Sequence, residues 1–273
     1  MPIINTNVAA IKARSNFDRV QREMDQSIAR LSSGKRINSA ADDAAGLAIA
    51  GRLESQVRGL NMQIKNAKDA QSLVDATEGA MQEVQSILQR MRELAVQASS
   101  GIASAADRGY LDTEVEALVA EVEAISKNTK FNEQSILSDV GFSFYVDINI
   151  TGTKISTTAV DMGITALNIE ATDVSLHTVV DAAAAIVDID AALVSVYDGR
   201  AHMGAISSRF DHVIDNLTNV VANTTAAQSR IQDADYAVET TALTRATILQ
   251  QAATSMIAQA NANKNSIMTL IQG

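Results

Sequence analysis

Apolar and small side chains recur every three or four residues along most of this chain, the spacing that gathers them on one face of an α-helix. The longest run is Leu53, Val57, Leu60, Ile64, Ala67, Ala70, Val74, Thr77, Met81, Val84, Leu88, Met91, Ala95 and Ala98. It predicts a single helix from about 44 to 99, a rod of about 80 Å at 1.5 Å per residue. Upstream, Phe17, Val20, Met24, Ile28 and Leu31 make a shorter stripe. Its helix should end at Ser32-Ser33-Gly34, because glycine takes the left-handed backbone that closes helices. Asp42 or Asp43 is then placed to cap the long helix, accepting from free amides at the positive end of its dipole. Leu111, Val115, Leu118, Val122 and Ile125 predict a third helix that ends within Lys127 to Phe131.

The pattern then changes period. Phe142, Phe144, Val146, Ile148 and Ile150 alternate with smaller or polar residues, as in a strand with one buried face, and Thr151-Gly152 reads as a turn into a second strand at Lys154 to Val160. From about 176 the helical spacing returns. Ile189, Val196, Met203, Phe210, Leu217, Thr224 and Ile231 lie seven apart, with Ile206, Val213, Val220 and Ala227 at the second seam position. The register slips around Arg230 to Tyr236 and starts again in the last helix. There Ala246, Ala253, Ala260 and Ile267 recur every seven residues, followed three residues later by Leu249, Met256, Asn263 and Leu270. This is the a/d seam of a coiled coil, and it predicts that the chain's two ends pair and take part in assembly. The expected fold is mainly α, a long coiled-coil rod with paired N- and C-terminal helices and a small β-hairpin at about 140–162. The expected division is a terminal coiled-coil domain of 1–40 plus 232–273 and a helical rod of 41–231.

Composition fits long helices: the only proline is Pro2, and tryptophan is absent. The formal net charge of −10, with both signs interspersed, excludes a nucleic-acid or anionic-membrane surface. No apolar run reaches the length of a membrane span, and the opening MPIINTNVAA lacks a cationic region followed by an apolar block, so neither membrane insertion nor a cleaved signal peptide is expected. With no cysteine there is no disulfide, thiolate nucleophile or zinc finger.

Candidate chemistry is thin. Gly34-Lys35 lacks both the upstream glycine and the Ser/Thr of a phosphate loop. His177, His202 and His212 have no i,i+4 partner, and Asp188/Asp190 and Asp233/Asp235 lack the glycine and distal glutamate of a calcium loop, so they read as solvated or capping groups. Asn149, Asn216 and Asn223 begin short glycosylation-like triplets. No catalytic residue, cofactor site or metal site is predicted, and the chain is not expected to be an enzyme.

Three segments carry a resemblance: LSSGKRINSAADDAAGLAIAGRL at Leu31 to Leu53, LQRMRELAVQASSG at Leu88 to Gly101, and SRIQDADYAVETTALTRATILQQAATSMIAQAN at Ser229 to Asn261. With the opening INTNVAA they strongly resemble bacterial flagellin. That resemblance implies a secreted, extracellular subunit of the flagellar filament. Its terminal helices would form a coiled coil lining the central channel, and its helical rod would carry the hairpin. With only about 140–176 between the rod helices, the chain resembles a minimal flagellin without a large outer domain.

The resemblance also implies partners: copies of the chain itself, the flagellar export apparatus and a flagellin chaperone, and the filament cap and hook-junction proteins. On this reading Val20, Met24, Ile28, Leu31, Ala246, Leu249, Ala253, Met256, Ala260, Ile267 and Leu270 form the inter-subunit and terminal coiled-coil seam. QRMREL at Gln89 to Leu94 resembles a segment that in some flagellins engages a Toll-like innate immune receptor and also packs subunit against subunit. It gives Gln89, Arg90, Glu93 and Leu94 either both contacts or the filament contact alone. Asn263-Lys264-Asn265 stands where a proline-containing turn is expected, which predicts a more continuous final helix. Two rival readings are a hook–filament junction protein of the same superfamily and an intracellular coiled-coil scaffold.

Overall fold

The computed structural model describes residues 6–138, 141–145, 154–157 and 160–272, with side chains described as far as residue 262. The order of elements is α1 (Val8–Ser33), α2 (Ala44–Ala98), α3 (Ala105–Asn128), β1 (Lys130–Phe131), β2 (Gln134–Ser135), β3 (Ser143–Tyr145), β4 (Lys154–Ser156), α4 (Val179–Gln232) and α5 (Tyr236–Gln272). The chain divides into two compact units, Met1–Val57 with Ala222–Gly273, and Arg58–Val221. Both borders fall inside helices, within α2 and within α4.

The helix ends follow local chemistry. Gly34, at φ 69°, closes α1 and donates its N–H to Arg30 O at 2.9 Å. Asp43 Oδ1 accepts from Gly46 N at 2.8 Å at the start of α2, while Asp42 folds back on the preceding loop, accepting from Asn38 N and Ser39 N at 3.1 and 2.9 Å. Those amide bonds stabilise the charged form and hold the Asp42 carboxyl below its ordinary value of 3.8, with the Ser39 amide the largest cause. Ser104 and Asp107 make a reciprocal capping box on α3, and Thr178 with Asp181 does the same for α4. Asp235 accepts from Ala237 N at 2.8 Å at the head of α5, whose helical backbone continues through Asn263–Asn265.

In the unit Arg58–Val221, one face each of α2, α3 and α4 meets in a single apolar core. Met81, Leu88, Met91, Val122, Val196 and Phe210 are fully buried. Polar pairs along the rim show α2 and α4 running antiparallel: Gln71 to Asp211 at 2.8 Å, Arg200 to Glu78 at 3.1 Å, and Arg92 to Asp190 at 2.6 Å. Burial of a long aliphatic or aromatic side chain contributes about 1.5–3 kcal/mol, so these layers hold the unit together.

The hairpin lies where the alternation placed it, with Ser143 opposite Ser156, Phe144 opposite Ile155 and Tyr145 opposite Lys154. Phe144 meets Phe210 edge-on at 5.7 Å, which seats the hairpin on α4. Val146, Ile148, Ile150 and the Thr151-Gly152 turn lie outside the described residues. Two features were not expected. A second tight hairpin joins β1 to β2 through Asn132 and Glu133, both with positive φ, which the right-handed twist of a two-residue loop requires. The segment after β4 is also no bare connector, because it buries Met162, Leu167, Ile169, Val174 and Leu176 in the core. Buried Asp112 ties it down by accepting from Leu176 N at 2.6 Å.

Candidate assembly surface

α1 and α5 are antiparallel and pack along their length, with Cα atoms within 8 Å of each other. Such close approach follows from the seam. On α1 it comprises Ala13, Phe17, Val20, Met24, Ser27 and Leu31, and on α5 Glu239, Leu243, Ala246, Gln250, Ala253, Ile257 and Ala260. Small side chains at Ala13, Ser27, Ala246, Ala253 and Ala260 let two backbones draw together. Asn7 Nδ2 donates to Ala260 O at 3.0 Å, Gln250 Nε2 to Gln21 Oε1 at 2.5 Å, Arg30 Nη1 to Glu239 Oε1 at 3.0 Å and Tyr236 Oη to Leu31 O at 3.3 Å.

The two signature segments meet at the base of this pair. The backbones of Lys35 and Asp233 pair as an isolated antiparallel β-bridge, in which Arg36 N donates to Gln232 O at 2.7 Å and Ala234 N donates to Gly34 O at 3.0 Å. Beyond it, Ile37 is buried against Gly46, where a Cβ would stand 2.7 Å from Ile37 Cδ1 and collide with the Asp43 cap.

The expected seam residues separate into two groups. Val20, Ala246 and Ala253 are buried between the helices, and Met24, Leu31 and Ala260 are half-buried there. Ile28, Leu249 and Met256 are not: they are 46, 43 and 63% exposed, on the outer faces. The correction is one of phase. From Ala246 the apolar spacing steps by three to Leu249, but the seam steps by four to Gln250, which pairs with Gln21. On α1, Ser27 is buried in the place expected for Ile28. The side chains of Ile267 and Leu270 lie outside the described ones.

The outer faces therefore carry apolar side chains among polar ones. Val8, Ile11 and Ile28 on α1 and Val238, Ile248, Leu249 and Met256 on α5 stand exposed, and Thr240, Thr244, Arg245, Ile248 and Leu249 line an open cleft of about 500 Å³. A helix already paired on one face and apolar on another is built for a further neighbour.

In the middle unit, Gln89, Arg90 and Glu93 face solvent. Arg90 bridges Glu114 at 2.8 Å and Glu93 at 3.1 Å, and these carboxylates, Glu114 foremost, push its pKa up. Gln89 Nε2 donates to Tyr197 Oη at 3.3 Å. Leu94 departs from the expectation. Only 1% exposed, it fills this chain's own core beside Met91 and Ala95 and is unavailable as a surface contact. The sequence reading missed an exposed stripe on α4, where Val180, Val187 and Val194 are 77, 67 and 58% exposed. Its signal was present as a second seven-residue register, two positions ahead of Ala182, Ile189 and Val196.

His177, His202 and His212 are all exposed. Among the described residues no group of three acidic or histidine side chains is placed to share a metal ion, and no helix is long and apolar enough to cross a membrane.

The family pattern of the bacterial flagellin N-terminal helical region matches residues 4–141, and that of the C-terminal helical region matches residues 186–271. The chain belongs to the bacterial flagellin family. Its relatives span it from end to end. A flagellin of Halalkalibacterium halodurans is 40% identical over 273 residues, covering 99% of this chain and 100% of the relative. A flagellin of Bacillus subtilis is 37% identical over 303 residues, covering 98% and 99%. The crystal structure of Bacillus cereus flagellin superposes with a TM-score of 0.51 at 29% identity, covering 60% of this chain and 94% of that one. This flagellin is thus a structural subunit of the flagellar filament, and the full-length relatives favour that over the hook–filament junction reading.

Proposed function

We propose that the α1/α5 pair is the part of this flagellin that completes its fold on joining the filament, building the inner tube, while the core of α2, α3 and α4 folds within each subunit. On this reading the terminal domain is 1–40 plus 232–273 and the rod is 41–231. The observation that carries it is the exposure of the apolar side chains Ile248, Leu249 and Met256 on a helix already packed along its α1-facing side. A filament needs a contact that does not close on itself, in which one surface of a subunit meets a different surface of the next. Two helices joined by a seam in which small and polar residues interrupt the larger apolar ones bury little apolar area against their ordering entropy, so neighbours must supply the rest. A chain with unfolded ends also suits passage through an export apparatus, with a chaperone holding the C-terminal arm. Gln89, Arg90 and Glu93 are the surface residues through which the rod meets a neighbouring subunit. Recognition by a Toll-like receptor at the same place is the second use that the QRMREL motif supports.

Electron microscopy of the purified chain after seeding tests this directly. Long tubes of uniform width are expected, and a chain lacking both ends should form none. Normal tubes from that truncated chain would overturn the proposal.

A further inference from the structure

We infer that Met256 is an oxidation checkpoint on entry to the filament, a role that rests on the proposed part of the α5 outer face in assembly. Conversion of its thioether to the sulfoxide bars a subunit from joining, and the assembled polymer then shields the same sulfur. Composition makes the chemistry selective. The chain has nine methionines and neither cysteine nor tryptophan, so thioether sulfur is the side-chain group that dilute hydrogen peroxide oxidises first.

The fold then sorts the sulfurs. Met81, Met91, Met162 and Met203 are at most 2% exposed in the core of α2, α3 and α4, where peroxide reaches them only when that core opens. Met24 is half-buried in the terminal pair. Met62 and Met256 are 55 and 63% exposed, and of these two only Met256 lies on the α1/α5 pair. Ends that are unfolded before assembly expose it further.

In the reaction the sulfur lone pair attacks one peroxide oxygen. An S–O bond forms as the O–O bond breaks, and the departing hydroxide takes a proton to become water. Sulfur gives up two electrons and the peroxide gains them. The product is a polar, chiral side chain with an acceptor oxygen in place of an apolar thioether. Water satisfies that oxygen on a free subunit. Beneath a neighbour it needs a donor, and its own helix has none to spare. Of the residues one turn away, Ala252, Ala253 and Ala260 carry no side-chain donor, and Gln259 already has a partner of its own. A buried acceptor left unpaired opposes association.

The test uses the unaltered full-length chain. Soluble protein is treated with hydrogen peroxide until about half of Met256 is sulfoxide, and catalase removes the excess. Growth is started from untreated seeds, and peptide mass spectrometry gives the sulfoxide fraction at each methionine in the pelleted filaments and in the residual soluble chain. Met256 sulfoxide should be depleted in filaments by at least about tenfold, and that of Met24, Met62 and Met268 by less than about threefold. Reducing the treated chain with methionine sulfoxide reductases of both stereospecificities should return its growth to within about twofold of the untreated chain.

Equal Met256 fractions in the two pools would overturn the inference. So would a depletion at Met24, Met62 or Met268 as large as that at Met256, or growth that reduction does not restore. Peroxide applied to filaments grown from untreated chain separates this failure from that of the assembly reading beneath it. There Met256 should react at least about tenfold more slowly than in the soluble chain. Protection without exclusion of oxidised subunits would remove the checkpoint alone, whereas reaction at the soluble rate would leave the α5 outer face uncovered and remove both.

Discussion

The helices at the chain's ends and those in its middle share one seven-residue spacing but fill it differently. In the middle, Met81, Leu88, Met91, Met203 and Phe210 are sealed against their neighbours within the same chain. At the ends, the buried repeats are Ala13, Val20 and Ser27 on α1 and Glu239, Ala246 and Ala253 on α5, most of them small, and the larger side chains Ile11, Ile28, Ile248, Leu249 and Met256 point outward. A core of large side chains satisfies itself. A seam of small ones brings two backbones close and leaves the apolar work to a surface that only another molecule can cover. Heptad spacing therefore identifies a helix and its faces, while the sizes at the repeated positions show whether the partner is inside the chain or outside it.

Substitutions should divide along the same line. The largest loss of stability is expected from Phe210→Ala, which removes the ring that seats the β3/β4 hairpin and should cost about 3–5 kcal/mol in urea unfolding. A loss below 1 kcal/mol would mean that the core is looser than described. Leu249→Asp or Met256→Asp should leave that unfolding midpoint within experimental error and stop seeded growth, since burying an unpaired carboxylate between subunits costs several kcal/mol. Normal growth would remove the outer face from the assembly surface. Gly46→Ala forces Ile37 and the Asp43 cap apart and should lower stability by about 1–3 kcal/mol, visible in thermal unfolding. Arg90→Ala should change stability by less than about 1 kcal/mol, because its pairs with Glu114 and Glu93 are exposed. A defect confined to growth or receptor activation would sharpen the role of that surface.

The smallest effect concerns acid. The Ser104 hydroxyl holds Asp107 below its ordinary 3.8, and backbone amides do the same for Asp42. A carboxylate whose folded pKa is depressed lends stability above its unfolded pKa and loses it as pH falls through the folded value. The α3 start and the 38–43 loop should therefore hold at pH 5 and loosen below about pH 4, a change that Asp107→Asn should flatten in a pH-dependent exchange experiment.

Much of this was legible from spacing alone. The stripe from Leu60 to Ala98 and the series Ile189 to Leu217 point inward as their periods require, because a large apolar side chain has one energetically acceptable face. Gly34 marks a helix end through its left-handed backbone, and Asp43 and Asp235 through side-chain bonds to amides two or three residues on. The phase of the last helix was less legible. Alanine is tolerated on either face, so the spacing does not decide between Leu249 and Gln250, and the partner of Gln250 lies 229 positions away. The Asn132-Glu133 turn lacks the glycine that usually announces such a hairpin, and Leu94 shows that motif likeness does not place a side chain on the surface. The burial of residues 162–176 depended on a core whose other walls lie far off in the sequence.

Hydrogen exchange on the soluble chain, compared with the polymer, tests the contrast between ends and middle most directly. The account predicts fast exchange over roughly 1–35 and 235–273 in the soluble chain, slow exchange through the α2/α3/α4 core, and protection of both ends once filaments form. Slow exchange at both ends before assembly would contradict it.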